Sequence, residues 1–312
     1  MKLPFAFTRN RRFDVLGFGT NAVDYLIEVP QYPDFDSKVE LTDYTQAAGG
    51  EIATAMVGLS RLGLRTAYVG SFGDDPAGQY GLETLRQEGI DVSFSRIVNG
   101  AKTQIAFIII DRRNGERTVI WKRDPRLTIS PEDAPVSLVE ESSVLHLSPH
   151  DTPACIELAA RARQCGTVVS IDIDKIFPDI DRLLASVDIL IASQNFPREI
   201  TGKNDLRSAI VELASKFNNA LIGVTLGESG SLLYSAGYFI ETKGFAVPGG
   251  CRDTTGAGDS FRAGLIFGLF SGESIEESAR IANAVAALKC RSVGARTSLP
   301  TLDELRTLLK NT

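Results

Sequence analysis

Short β-rich runs alternate with helix-length segments along most of this 312-residue chain. That alternation argues for a mostly parallel sheet covered by helices on both faces. Residues 13–19, 66–71, 144–147, 167–173, 187–192 and 220–226 read as strands, and 153–164, 206–217, 260–270, 274–290 and 302–309 as helices. In the helix expected over 50–62, Ile52, Met56, Leu59 and Leu62 fall near one face and Gly63 is a natural stop. A helix over 76–88 ends at Gly89. Two stretches break the rhythm. Residues 23–29 and 105–121 are strand-like with no helix after them, and Asn114-Gly115 is a hairpin signal inside the second. A small antiparallel flap beside the main sheet accounts for both.

Length and composition suit a single large α/β unit, since one core stops growing at about 250–300 residues. Hydrophobic residues make up 43% and charged residues 23%, with a net charge of −6. No basic patch larger than the Arg9–Arg12 cluster exists, which argues against a nucleic-acid partner. No run approaches the roughly 18 apolar residues of a membrane span. The N-terminus has neither the length nor the order of a signal peptide, so a cytoplasmic protein is expected. Four scattered cysteines and two histidines argue against a zinc site or a disulfide framework.

Chemistry concentrates in Asp253-Thr254-Thr255-Gly256-Ala257-Gly258-Asp259-Ser260, just ahead of an apolar helix. A Gly-Ala-Gly run at a helix start leaves backbone N–H groups unpaired and admits a ligand closely. Gly256, Ala257 and Gly258 therefore form a candidate anion hole at the positive end of the helix dipole. Asp259, in the first turn beside it, is placed to take a proton from an attacking hydroxyl. Gly49-Gly50, before the helix that starts at Glu51, permits a backbone turn close to a substrate. Thr225-Leu226-Gly227-Glu228-Ser229-Gly230 is a glycine-rich turn at a strand end, where open α/β sheets bind ligands. Gly17-Phe18-Gly19-Thr20-Asn21-Ala22 fits a dinucleotide fingerprint, but the helix it must open is replaced by extended sequence. No Walker-A loop or protein-kinase motif set occurs.

Together these motifs resemble the ribokinase-like (PfkB-type) carbohydrate kinases, nearest the ketohexokinase and ribokinase branch. The resemblance implies a three-layer α/β/α sandwich with a mostly parallel central sheet over residues 13–312. It adds a small β-sheet lid from about 22–45 and 103–123, with 1–12 as an N-terminal extension. It implies transfer of the γ-phosphate of ATP, with Mg²⁺, to a hydroxyl of a small sugar, with Asp259 as base. A nucleoside kinase and a non-catalytic sugar- or nucleotide-binding regulator are the alternatives. Asp24 matches the acceptor-binding aspartate, with Gly49 and Gly50 in the same pocket. Glu51 and Thr54 stand where the ketohexokinase branch has asparagines, which puts fructose in doubt. Glu51, at a helix N-terminus, is expected to stay ionised and to help choose the acceptor. Thr225, Gly227 and Gly230 would lie along the nucleotide, Arg117 would reach its phosphates and Asn283 would lie beside its adenine. Asp253 and Thr255 match positions that often bind a monovalent cation, so a response to K⁺ is expected. Lid strands often pair between subunits in this family, and a homodimer through the lid is one arrangement it allows. The usual Asn-x-x-Glu is missing: Ser193 and Phe196 stand in its place.

Overall fold

Burial sorts the strands into those that build the centre and those that do not. The computed structural model describes residues 1–311. Strand β1 (Phe13–Phe18) is followed by β2 (Ala22–Val29), β3 (Asp43–Gly49) and helix α1 (Glu51–Arg61). Next come β4 (Thr66–Val69), β5 (Ser71–Gly73), α2 (Pro76–Gln87), β6 (Arg96–Val98), β7 (Ile105–Asp111) and β8 (Arg117–Lys122). The second half runs α3 (Val136–Glu140), β9 (Ser142–Leu147), α4 (Thr152–Cys165), β10 (Val168–Ile173), α5 (Ile180–Leu184) and β11 (Ile189–Ala192). It continues with α6 (Phe196–Thr201), α7 (Leu206–Phe217), β12 (Leu221–Thr225), β13 (Ser231–Ser235) and β14 (Tyr238–Thr242). Helices α8 (Ala257–Ser271), α9 (Ile275–Lys289) and α10 (Leu302–Lys310) close the chain.

Eight strands form the central sheet in the order β14-β13-β12-β11-β10-β9-β1-β4. The strands from β12 through β4 are parallel, and β13 and β14 add an antiparallel edge. Every residue of β9, β10 and β11 is buried, as expected of strands covered on both faces. Side chains alternate between the two helical layers. Along β9, Leu145 belongs to the core that includes Leu158 of α4 and Leu213 of α7, whereas Val144 belongs to the one that includes Met56 of α1 and Ala263 of α8. No helix among the described residues is long and apolar enough to cross a membrane.

The second sheet, β3-β2-β7-β8, rises from the carboxyl end of β1 through the turn at Gly19-Thr20-Asn21. It is mixed rather than purely antiparallel, because β2 and β7 run parallel, Val23 beside Ile105. A crossover through α1 and α2 separates them in sequence, so no hairpin sets their direction. The sheet also takes residues 43–49 as a strand and so extends past residue 45. Two further differences bear on the site. Helix α8 begins at Ala257, three residues before the apolar pattern becomes regular. The β13–β14 hairpin, with Ala236 in the left-handed region at its turn, occupies a stretch where the sequence suggests no strand.

Candidate functional site

One cleft of about 1460 Å³ runs between the carboxyl end of the central sheet and the inner face of the second sheet. One end of it is built on β2. Side chains alternate along a strand, so Asp24 and Leu26 face inward while Tyr25 and Ile27 face out. Asp24 is 4% exposed, and burial pushes its carboxyl up to about 7, against the favourable charge of Arg296. Gly49 makes room for it: a Cβ there would lie 1.9 Å from Asp24 Oδ2. Gly49 does not line the cleft, and its carbonyl accepts from the buried Arg296 guanidinium. Gly50, with φ +92°, does line it, and its added Cβ would lie 2.4 Å from the Asn21 backbone. The close turn anticipated at the two glycines is thus a backbone-on-backbone contact that holds the base of the lid against α1.

Glu51 opens α1 into the cleft, 3.4 Å from Thr20 Oγ1 and 3.6 Å from His150 Nδ1. It is not the ionised first-turn glutamate anticipated. Partial burial against the cleft wall, with Asp174 and Asp259 as like charges, pushes its carboxyl up to about 8. Burial holds His150 near 4, so that contact is not an ion pair at neutral pH. Thr54 is one turn further along α1, fully buried and away from the cleft wall.

At the floor of the cleft, the turn before α8 takes Gly256 to φ +78°. Ala257 donates its N–H to Thr254 O at 3.1 Å. Of the three anticipated donors, only Gly256 and Gly258 have N–H groups that no acceptor takes among the described residues. Asp259 lines the cleft beside them. Its carboxyl is raised by burial, and lowered in turn by the charges of Arg262 and Arg117. Arg262 is clamped from below: its Nη2 lies 2.7 Å from Asp172 Oδ1 and donates to Ile191 O. Burial keeps Asp172 well above the ordinary carboxylate range, with Arg262 opposing. The second sheet touches this turn directly. Arg117 Nη1 donates to Thr254 Oγ1 at 2.9 Å, and Thr254 Oγ1 donates to Gly115 O at 3.1 Å, so the hairpin tip rests on the turn before α8.

The opposite end of the cleft is bounded by Thr225, Gly227 and Gly230, by residues 244–247 and by Ala286 and Ala287. Gly227 faces open space, whereas a Cβ on Gly230 would lie 2.1 Å from Thr242 O, so Gly230 serves the strand–strand turn. Asn283 reaches the wall, but its Nδ2 donates inward to Ser231 Oγ and Ala279 O. Asp253 and Thr255 are both buried, and Asp253 does not line the cleft. Sequence reasoning missed Asp172, Asp174 and Arg262. For the two aspartates a signal existed, carboxylates at the carboxyl end of a buried strand; an arginine inside an apolar helix offers none.

Residues 15–302 match the family described as pfkB family carbohydrate kinase. The chain is 32% identical over 286 residues to a fructokinase of Klebsiella pneumoniae, covering 84% of this chain and 91% of that one. It is 28% identical over 295 residues to an ATP-dependent ribose-1-phosphate kinase of Halopiger xanaduensis, covering 95% and 97%. Arabidopsis thaliana ribokinase, solved with ribose and ATP, superposes with a TM-score of 0.82 at 24% identity, over 96% of this chain and 99% of that one.

Proposed function

The chain belongs to the pfkB family of carbohydrate kinases, and from that premise we propose that it moves the γ-phosphate of ATP to a hydroxyl of a small sugar held under the lid. The observation that carries this reading is that Asp24 and Asp259 face the same cleft, with the α8 N-terminus between lid and nucleotide end. The sugar lies against Asp24 and Gly50 with its reacting hydroxyl toward Asp259. ATP lies along Thr225 and Gly227, its phosphates directed at the N–H groups of Gly256 and Gly258. Arg117 comes down from the lid to the same turn, so closing the lid and completing the phosphate site are one event. Asp259 accepts the hydroxyl proton as the phosphoryl group passes to the sugar oxygen. Positioning and electrostatics supply most of the acceleration in phosphoryl transfer.

Oxygen donors suited to Mg²⁺ are present. Ser193 lines the cleft, whereas Phe196 is fully buried in the core and offers no oxygen. Asp172 and Asp174, at the end of β10, also line the cleft and are the carboxylates that would hold the ion. Bound there, Mg²⁺ neutralises charge on the phosphate oxygens.

The test is ATP consumption across ketoses, aldoses, sugar phosphates, sugar acids and nucleosides. One sugar or sugar phosphate turned over well above the others is the expected result. Turnover confined to nucleosides would replace the acceptor class, and none with any acceptor would overturn the reading.

Glu51 bears on acceptor choice. Protonated near neutral pH, it both donates and accepts hydrogen bonds, as a glutamine does. Glu51→Gln therefore keeps the wild-type order of acceptors at pH 7. As pH rises through about 8 the wild-type carboxyl ionises, loses its donor, and acceptor kcat/KM falls; the glutamine variant lacks that fall. Parallel pH profiles in the two proteins would remove Glu51 from the acceptor site.

The outer face of the lid supports a homodimer through it. Tyr25 stacks between Tyr44 and Phe107, with centroids 6.3 and 5.2 Å away, and Ile120 beside them is exposed. Light scattering is expected to give a dimer for the wild type and a monomer for Phe107→Asp.

A further inference from the structure

Lys289 ends α9, and in sequence it looks like an ordinary solvated lysine at a helix end. The structure buries it completely, together with Asp253. Lys289 Nζ donates to the main-chain oxygen of Asp253 at 2.8 Å and stands 3.6 Å from Asp253 Oδ2. The same carboxylate accepts the N–H of Thr255 at 2.7 Å and that of Gly294 at 2.8 Å. One ammonium and one aspartate therefore tie together the turn before α8, the end of α9 and the chain beyond it. Taking an ammonium out of water is costly and is offset only by close negative partners. Here both partners belong to the turn that leads into Gly256. Lys289 does not line the cleft, so it acts on ligands only through that turn.

We infer that the Lys289 ammonium is a built-in monovalent cation for the phosphate-binding turn. It holds the Asp253 carbonyl and carboxylate so that the N–H groups of Gly256 and Gly258 face the cleft. Turnover then needs no potassium or other monovalent ion from solution. A potassium ion seeking the oxygens of Asp253 would meet a fixed like charge already bonded to them, which replaces the K⁺ response anticipated from Asp253 and Thr255. The lysine charge also favours the ionised form of Asp259. Lys289 is in these terms a positioning residue, and the inference rests on the kinase reading of the cleft.

The experiment has a wild-type arm and a rescue arm. With the best acceptor, wild-type turnover is compared in potassium, sodium and choline chloride at equal ionic strength, and the three rates are expected to agree. Lys289→Ala leaves space for a small cation, whereas Lys289→Met fills it with apolar atoms. In choline both are expected to lose kcat on the order of 10²-fold, the scale of a misplaced catalytic group. Potassium or ammonium restores much of that loss in the alanine variant and none in the methionine variant. Thermal melting in the same salts provides a readout that needs no acceptor: the alanine variant gains stability from potassium or ammonium over choline, and the wild type does not. A wild type several-fold faster in potassium, or an alanine variant that no cation moves in either readout, would overturn the inference while leaving the kinase reading standing. A wild type that consumes no ATP would count against the kinase reading alone, and melting would then decide the cation. If the alanine variant does not fold, the wild-type arm still decides.

Discussion

Replacing Asp259 with asparagine lowers kcat by roughly 10²–10⁴, the usual range for losing a positioned general base. The amide has the same shape and keeps its place in the first turn of α8, but it cannot take up the hydroxyl proton. Folding should survive, since the charge removed is already costly. Burial raises the Asp259 carboxyl, and the nearby charges of Arg262, Arg117 and Lys289 oppose it. ATP affinity should change little, because the phosphate donors at Gly256 and Gly258 are main-chain groups. Single-turnover kinetics separate the cases: nucleotide binding stays near normal while phosphoryl transfer slows. A variant with near-normal kcat would show that another group, with Asp172 the nearest carboxyl, takes the proton.

Asp24→Ala is expected to raise KM for the acceptor far more than for ATP. Hydrogen bonds from sugar hydroxyls to a carboxylate contribute about 1.5–3 kcal/mol each. Every 1.4 kcal/mol is a factor of ten, so losing two such bonds weakens acceptor binding on the order of 10²-fold or more. The pH dependence gives a second check. Burial places the Asp24 carboxyl at about 7, so the fully accepting, ionised form gains ground as pH rises through neutrality. Wild-type acceptor KM therefore falls as pH rises through about 7, and Asp24→Asn lacks that fall. Asp24 would leave the acceptor pocket if both substrates suffered equally in the alanine variant. Asp24, buried within the field of the Arg296 charge, would then have a structural role.

The α/β class was legible because it is written locally. Buried strands such as β10 are short runs rich in Val and Ile, and helices such as α7 repeat their apolar residues with the helical period. The extended sequence after Ala22 likewise excluded a dinucleotide-binding helix, and the chain there is β2. The turn before α8 was legible as a helix start for the same reason: a Gly-Ala-Gly run beside an aspartate is a local pattern over eight residues, and α8 begins inside it. Its detail was not. The first turn of α8 engages the Ala257 N–H, which a sequence pattern does not register.

What lay beyond the sequence depends on partners far along the chain. The direction of β7 against β2 is set by a crossover through two helices, not by a turn. Thr54 and Asn283 are polar residues near the expected site, yet one is buried in a helix and the other spends its donor inside the core. The raised carboxyl of Glu51 owes most to burial and then to Asp174 and Asp259, more than a hundred residues away. Lys289 is the sharpest case. Its type and its place at a helix end suggest solvent, and only the folding of α9 against the turn at Asp253 makes its ammonium a buried internal charge. Local propensity and short-range motifs determined which elements form and where the α8 N-terminus opens. The charge state of each group, and which polar atoms face the cleft, were decided by tertiary structure, because electrostatic energies depend on distance and burial in space rather than on separation in sequence.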